Sequence, residues 1–402
     1  MRASFDRLRE ILAQVDDLRR AAALLSWDQQ TYMPPQGAEA RAEQLATLER
    51  LAQAALTQPE VGDLLAALEP WAASLPADSF EASLIRVTRR EYDKLVKVPA
   101  RLVAELARAT ALATDVWARA RKDADFGAFR PHLERVVALT IEKADCLGGA
   151  SRYDALLDEY EPDMPSETVD QLFQALKERL VPLVQAISER LDRIDDSVLR
   201  RSYPLQGQWE FGVEVLKAMG FDMTRGRQDQ SPHPFTTSFS PRDVRVTTLL
   251  RPDRLAFGLF ATIHEGGHGL YEQGIPWEFH RTPLAGGASL GVHESQSRLW
   301  ENVIGRSRAF WRHFFPILQR MMPEQLADTD AETFYRAVNR VEPSFIRVEA
   351  DEVTYTLHIF VRYDLERMLV EGTLSVADLP DAWNERMQAY LGLVPPDDGA
   401  GV

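Results

Sequence analysis

Leu255-Ala256-Phe257-Gly258-Leu259-Phe260-Ala261-Thr262-Ile263-His264-Glu265-Gly266-Gly267-His268-Gly269-Leu270 is the segment from which the rest of the chain can be read. Leu255, Leu259, Ile263 and Leu270 recur at helical spacing. Pro252-Asp253 supplies a turn and an N-cap, and Gly274 with Pro276 supplies a stop. A helix is predicted between them, and it contains an H-E-x-x-H pentapeptide. Residues four apart on a helix stack on one face, so His264 and His268 can hold one metal ion. Glu265 lies about a quarter turn away and can reach a water molecule at that metal. Two neutral nitrogen ligands, a carboxylate base and a Lewis acid are the minimal kit of a zinc hydrolase. With 8 His and 61 acidic residues in 402, about 0.02 such matches are expected by chance. Gly266 and Gly267 each cost about 1 kcal/mol against Ala in mid-helix. Close approach of another segment, or of a peptide, is the expected offset.

Composition narrows the setting. The chain is 45% hydrophobic and 27% charged, which suits a folded protein with a sizeable core. The formal charge of −15 argues against nucleic acid or an anionic membrane as partner. Cys146 is the single cysteine, so no intrachain disulfide can form and a cytoplasmic setting is expected. The first residues are charged and amphipathic rather than a secretory leader, and no long apolar run predicts a transmembrane helix.

Residues 1–200 read as almost entirely helical, with breaks at Met33-Pro34-Pro35, Pro76–Ser79, Pro99 and Glu161–Pro165. A long helix is predicted over Ser166–Arg193. The β-branched and aromatic run 233–250 predicts a hairpin, Phe235–Ser240 and Val244–Leu250, just before the metal helix. Such a sheet makes a fitting wall for a cleft, because an edge strand can pair with an extended peptide. A glycine-rich loop, Ala285–Gly291, leads to a predicted helix over Val292–Ile304. A further helix is predicted from Pro343 to just before Gly372.

A catalytic site of this type needs a third protein ligand and an open position. Glu294, at the start of the next helix, is the best candidate, with His293 and Glu301 as rivals; spacing alone does not separate a ligand Glu294 from a first-turn acid favoured by the helix dipole. On the helix predicted from Pro343, Arg347, Asp351, Thr354 and His358 share one face. Arg347, and Arg245 on the predicted strand, could face an anionic group, since an Arg fork matches a carboxylate. His233 sits in a loop ahead of Pro234-Phe235.

Taken together, Trp27-Asp28-Gln29-Gln30-Thr31-Tyr32-Met33-Pro34, Tyr153–Leu157, His233-Pro234-Phe235, Asp243–Thr247, the H-E-x-x-H, His293-Glu294-Ser295-Gln296 and Ile346–Asp351 resemble the carboxypeptidase Taq family of thermostable metallocarboxypeptidases. The resemblance runs through nearly the whole chain. It implies a single peptidase domain over 1–402, mainly α and zincin-like, with a deep active-site cleft and a small β-sheet next to the metal helix. Within it a helical part spans about 1–200 and a catalytic part about 201–402. It further implies a homodimer, His264, His268 and Glu294 as ligands to zinc (or cobalt), and Glu265 as general base. Arg245 and Arg347 would hold the substrate's terminal carboxylate, and His233 a substrate carbonyl. The implied reaction is release of single residues from peptide C-termini. Zinc oligopeptidase, dipeptidyl carboxypeptidase and a metal-binding form without turnover are the alternatives. Members of the family continue past a stretch like Pro395–Gly399 into a G-x-x-Q-D-x-H-W motif. That C-terminal segment, with a Tyr for the oxyanion, is expected to be absent here.

Overall fold

The computed structural model describes residues 1–402, the side chain of Glu349 excepted. The chain is mostly helical, with one three-stranded sheet beside the helix Leu255–Gly274 that carries the H-E-x-x-H. It divides into two compact units. One comprises Met1–Val96 and Asp196–Val338; the other comprises Lys97–Asp195 and Asn339–Val402. Each unit draws on chain from both sides of residue 200. Residues 1–96 pack with the metal-helix segment because Trp27, at the end of the helix Arg2–Thr31, lies against arginines of the sheet.

In the first unit, the helices Arg2–Thr31, Ala38–Leu56, Pro59–Ala72 and Phe80–Lys97 break where Pro34, Pro76 and Pro99 predict. Phe5, Leu8, Leu12, Leu56, Leu65 and Leu84 fill the core between them. A second core joins the sheet (Val244, Val246) to the metal helix (Leu255, Leu259, Ile263). Leu205–Met219 and Arg308–Met321 add Phe211, Val215, Leu216, Trp311 and Phe315 to it. In the second unit, Ser166–Ser188, Thr354–Glu371 and Leu379–Leu391 share the core of Val184, Leu357, Phe360, Val361 and Met387. No helix among the described residues is long and apolar enough to cross a membrane.

The sheet has the order β1 (Gly226–Gln230), β3 (Asp243–Thr248), β2 (Thr236–Ser240). The β2–β3 pair is the expected hairpin, antiparallel with Thr236 opposite Val246. β1 pairs with β3 in parallel and was not expected: Gly226-Arg227-Gln228-Asp229-Gln230 has no β-branched residue to betray it.

Two predicted helices differ from expectation. The helix expected from Pro343 begins only at Thr354, preceded by a short 3-10 turn, Arg347–Glu349. Asp351 explains the delay. Its carboxylate accepts from the backbone N–H groups of Val353 and Thr354 at 2.9 Å and from the Thr354 hydroxyl at 2.6 Å. An Asp that bonds the amides just ahead of it starts a helix rather than continuing one. Arg347 and Asp351 therefore do not share a helix face with Thr354 and His358. The helix expected over Val292–Ile304 is α-helical only over Leu290–Arg298 and passes into a π-helical turn, Leu299–Ile304.

Candidate metal centre

The metal helix is held on two sides at its glycines. A Cβ on Gly266 would come within 2.5 Å of Leu216 Cδ2, and one on Gly267 within 2.6 Å of Ser297 Cα. The cost of two helical glycines is offset by close packing, and at Gly267 the neighbour is backbone of the helix Leu290–Arg298. That contact brings Glu294 to the histidine pair. Glu294 Oε2 lies 3.5 Å from Nε2 of His264 and 3.1 Å from Nε2 of His268. One ligand atom from each of the three residues falls within 4.8 Å of the others. Tetrahedral bonds of about 2.1 Å give ligand–ligand edges of about 3.4 Å, so the trio fits a divalent cation. The donor set of two imidazoles and a carboxylate suits one as well.

The two rivals for third ligand stand behind the histidines. Glu301 Oε2 is 2.7 Å from Nδ1 of His264. His293 Nδ1 is 2.7 Å from Nδ1 of His268, and His293 Nε2 is 2.9 Å from Glu272 Oε1. Arg298 donates to Glu294 Oε1 at 2.8 Å and to Glu301 Oε2 at 3.3 Å, and Arg306 Nη2 lies 3.9 Å from Glu301 Oε1. Burial opposes charge on His264, but its bonds to Glu294 and Glu301 outweigh that and raise its pKa to about 9. Burial likewise works against the Glu294 carboxylate, yet the two imidazoles hold it well below the usual carboxylate range. The two carboxylates thus favour positive charge at His264.

Glu265 is buried on the helix between the histidines, and burial raises its pKa. The Thr236 hydroxyl on β2 binds its Oε2. Among the residues that spacing missed, Glu272 and Arg298 had a signal: each lies four residues beyond a site residue, His268 and Glu294, on the same helix. Thr236 had only a place in a β-branched run.

Arg245 has a different environment. Successive strand residues point to opposite faces. Val244 and Val246 face the metal helix core, whereas Arg245 faces away, over the rings of Trp27 (4.3 Å) and Phe239 (4.8 Å). Asp243 engages its guanidinium at 3.0 and 3.1 Å. Trp27 also receives Arg227, the β1 residue paired with Arg245. His233 is exposed in the loop between β1 and β2, its carbonyl accepting from the Ser231 hydroxyl at 2.7 Å. On the outer edge of β2, the Ser238 carbonyl is taken by Arg20 at 2.5 Å. Arg347 belongs to the second unit, where it donates to the Tyr355 hydroxyl at 2.5 Å.

The fold is mostly helical, with a small sheet beside the H-E-x-x-H helix and Glu294 brought from the next helix to its two histidines, and the relatives of the chain place it among metal-dependent peptide hydrolases. The chain belongs to the carboxypeptidase Taq (M32) metallopeptidase family, whose sequence pattern matches residues 7–402. It is 44% identical over 410 residues to thermostable carboxypeptidase 1 of Thermus thermophilus, covering 100% of this chain and 80% of that protein. Carboxypeptidase 1 of Bacillus subtilis is 36% identical over 394 residues, covering 98% of this chain and 78% of that protein. The crystal structure of the M32 carboxypeptidase from Deinococcus radiodurans superposes with a TM-score of 0.94 at 39% identity, over 100% of this chain and 80% of that one. The protein is a metallocarboxypeptidase.

Proposed function

We propose that His264, His268 and Glu294 hold one divalent cation, zinc or alternatively cobalt, and that Glu265 is the general base for release of single C-terminal residues from peptides. The observation that carries this is the approach of one Glu294 oxygen to both Nε2 atoms, with Glu265 buried between the two imidazoles on the helix. The cation would supply Lewis acidity, polarising the scissile carbonyl and acidifying a water molecule. Glu265 takes the water's proton and delivers it to the leaving amine. Burial makes its carboxylate a stronger base, and the Thr236 hydroxyl fixes its direction.

Arg347, Arg245 and His233 are the proposed substrate contacts. Of the two arginines, Arg347 is the better placed chemically for a terminal carboxylate. Its guanidinium donates to a phenol hydroxyl, and no carboxylate among the described residues pairs with it, whereas the Arg245 fork is taken by Asp243. The same reading makes the chain one peptidase domain, cytoplasmic in keeping with its lone Cys146, and a homodimer.

The test is product analysis by mass spectrometry on an N-acetylated peptide with a free C-terminus, with zinc content measured alongside. Release of one residue at a time, abolished by amidating the C-terminus, is expected. Release of dipeptides or internal fragments, or equal cleavage of the amidated peptide, would overturn it in favour of a dipeptidyl carboxypeptidase or an oligopeptidase.

A further inference from the structure

Both proposed histidine ligands turn Nε2 toward Glu294. A ligand nitrogen offers a lone pair, so the proton of each ring must sit on Nδ1. The partners of those two Nδ1–H groups are chemically different. His264 Nδ1 donates to Glu301 Oε2 at 2.7 Å, directly to an anion that two arginines, Arg298 and Arg306, hold in place. His268 Nδ1 donates at 2.7 Å to another imidazole nitrogen, Nδ1 of His293. That nitrogen must then carry the lone pair, which puts the His293 proton on Nε2. From there it donates to Glu272 Oε1 at 2.9 Å. The direction of every hydrogen bond in both chains is thereby fixed. The His293 ring lies nearly parallel to His268, 22° between planes and 4.6 Å between centroids, and Tyr271 packs against the His293 ring at 4.7 Å between centroids.

We infer that Glu301 and His293 are positioning residues that lock His264 and His268 in the ligating tautomer through unequal routes, one a direct carboxylate and the other a neutral imidazole relayed to Glu272. One stretch of chain delivers them both. His293 precedes Glu294 on the helix Leu290–Arg298, and Glu301 lies in the π-helical turn Leu299–Ile304 that follows. The π turn closes with a bond from Gly305 N–H to the Trp300 carbonyl at 2.7 Å, five residues back. A widened turn of this kind re-aims the side chains within it, and such turns recur at functional sites. Here it carries Glu301 to the far side of the His264 ring.

This inference rests on the ligand assignment proposed above, and the experiment separates the two. Zinc dissociation constants are measured by chelator competition on the 402-residue chain, with melting temperature as a check on folding. Partners behind a ligating histidine typically contribute 10- to 100-fold in metal affinity. Glu301→Gln and His293→Leu should each weaken zinc by about that factor. His293→Gln should stay within about threefold of the parent, because its amide oxygen accepts from His268 and its NH₂ donates to Glu272. Glu272→Gln, which changes only charge at the end of the relay, should cost less than Glu301→Gln. In the cobalt-loaded protein, Glu301→Gln and His293→Leu should shift the visible d–d bands while His293→Gln restores them. His264→Ala and His268→Ala must lose the cation. If they do, while Glu301→Gln and His293→Leu bind zinc within twofold of the parent with unchanged bands, the positioning roles are wrong and the ligand assignment stands. If His264→Ala and His268→Ala keep the cation, both are wrong.

Discussion

The Thr236 hydroxyl lies 2.7 Å from Oε2 of Glu265 and 3.0 Å from the Glu265 carbonyl, tying strand β2 to the metal helix at the buried carboxylate. A hydrogen bond to a charged group contributes about 1.5–3 kcal/mol, and here it also sets the direction of a proposed base. Thr236→Val keeps the shape and removes only the hydroxyl. It should lower kcat by about tenfold or more, Thr236→Ser should recover most of it, and zinc content should not change. Glu265→Gln should also keep the metal and lose about 10²–10⁴ in kcat. Steady-state kinetics with parallel metal analysis decides both.

The two helical glycines should respond differently to alanine. At Gly267 the new Cβ meets backbone, Ser297 Cα at 2.6 Å and the Gln296 carbonyl at 2.9 Å, so the helix bearing Glu294 must move away. At Gly266 it meets the tips of Leu216 and Met219. Overpacking costs about 1–3 kcal/mol, against about 1 kcal/mol gained in helix propensity. Gly267→Ala should therefore lower both melting temperature and zinc affinity. Gly266→Ala should leave zinc affinity near the parent's.

Arg347→Ala and Arg245→Ala should separate binding from packing. Loss of one charge-assisted bond to a carboxylate corresponds to roughly 10- to 150-fold in kcat/KM. Arg347→Ala should show that loss on free-acid peptides with little change in melting temperature. Arg245→Ala strips cover from Trp27 and Phe239 and leaves Asp243 unpaired, so it should lower the melting temperature as well.

His358 predicts a pH dependence of stability. It is fully buried on the helix Thr354–Glu371, and burial, with Arg362 nearby, lowers its pKa to about 4 from the ordinary 6.5. The unfolded chain binds the proton more readily, so stability is full above about pH 6.5 and falls as pH drops from there toward 4. The shift corresponds to about 3 kcal/mol at most. Denaturant titrations at pH 7 and pH 5 should show this slope in the parent and a flatter one in His358→Leu.

How much of this could be read from the chain depended on the kind of signal. The pentapeptide His264–His268 stood out because helical period and ligand chemistry agree there, and the β2–β3 hairpin because its residues are β-branched. β1 was illegible, since its polar residues are ordered by pairing with β3 rather than by propensity. The start of the helix at Thr354 cannot be read locally, because Pro343 gives a start signal as strong as that of Asp351, and only the hydrogen bonds of Asp351 decide between them. Spacing puts Glu294 ahead of His293 and Glu301 but does not tell a ligand from a first-turn acid; all three reach the histidine pair, and which ring nitrogen each meets is a matter of three dimensions. The role of Trp27 as a platform for Arg227 and Arg245 likewise requires strands that lie some 200 residues away, in a register no local pattern encodes.

The interleaving of the two units also sets a schedule for biosynthesis. Residues 1–96 leave the ribosome first, yet their unit is complete only when residue 338 has emerged. At about 5–20 residues per second the wait is roughly 10–50 s. The early helices can collapse meanwhile, because Phe5, Leu8, Leu12, Leu56, Leu65 and Leu84 already form a shared core. Trp27 cannot be covered by Arg227 and Arg245 until those residues arrive. Until then the Trp27 ring lacks the two guanidinium groups that cover it in the finished unit, so the last step in completing the N-terminal helices waits on the sheet.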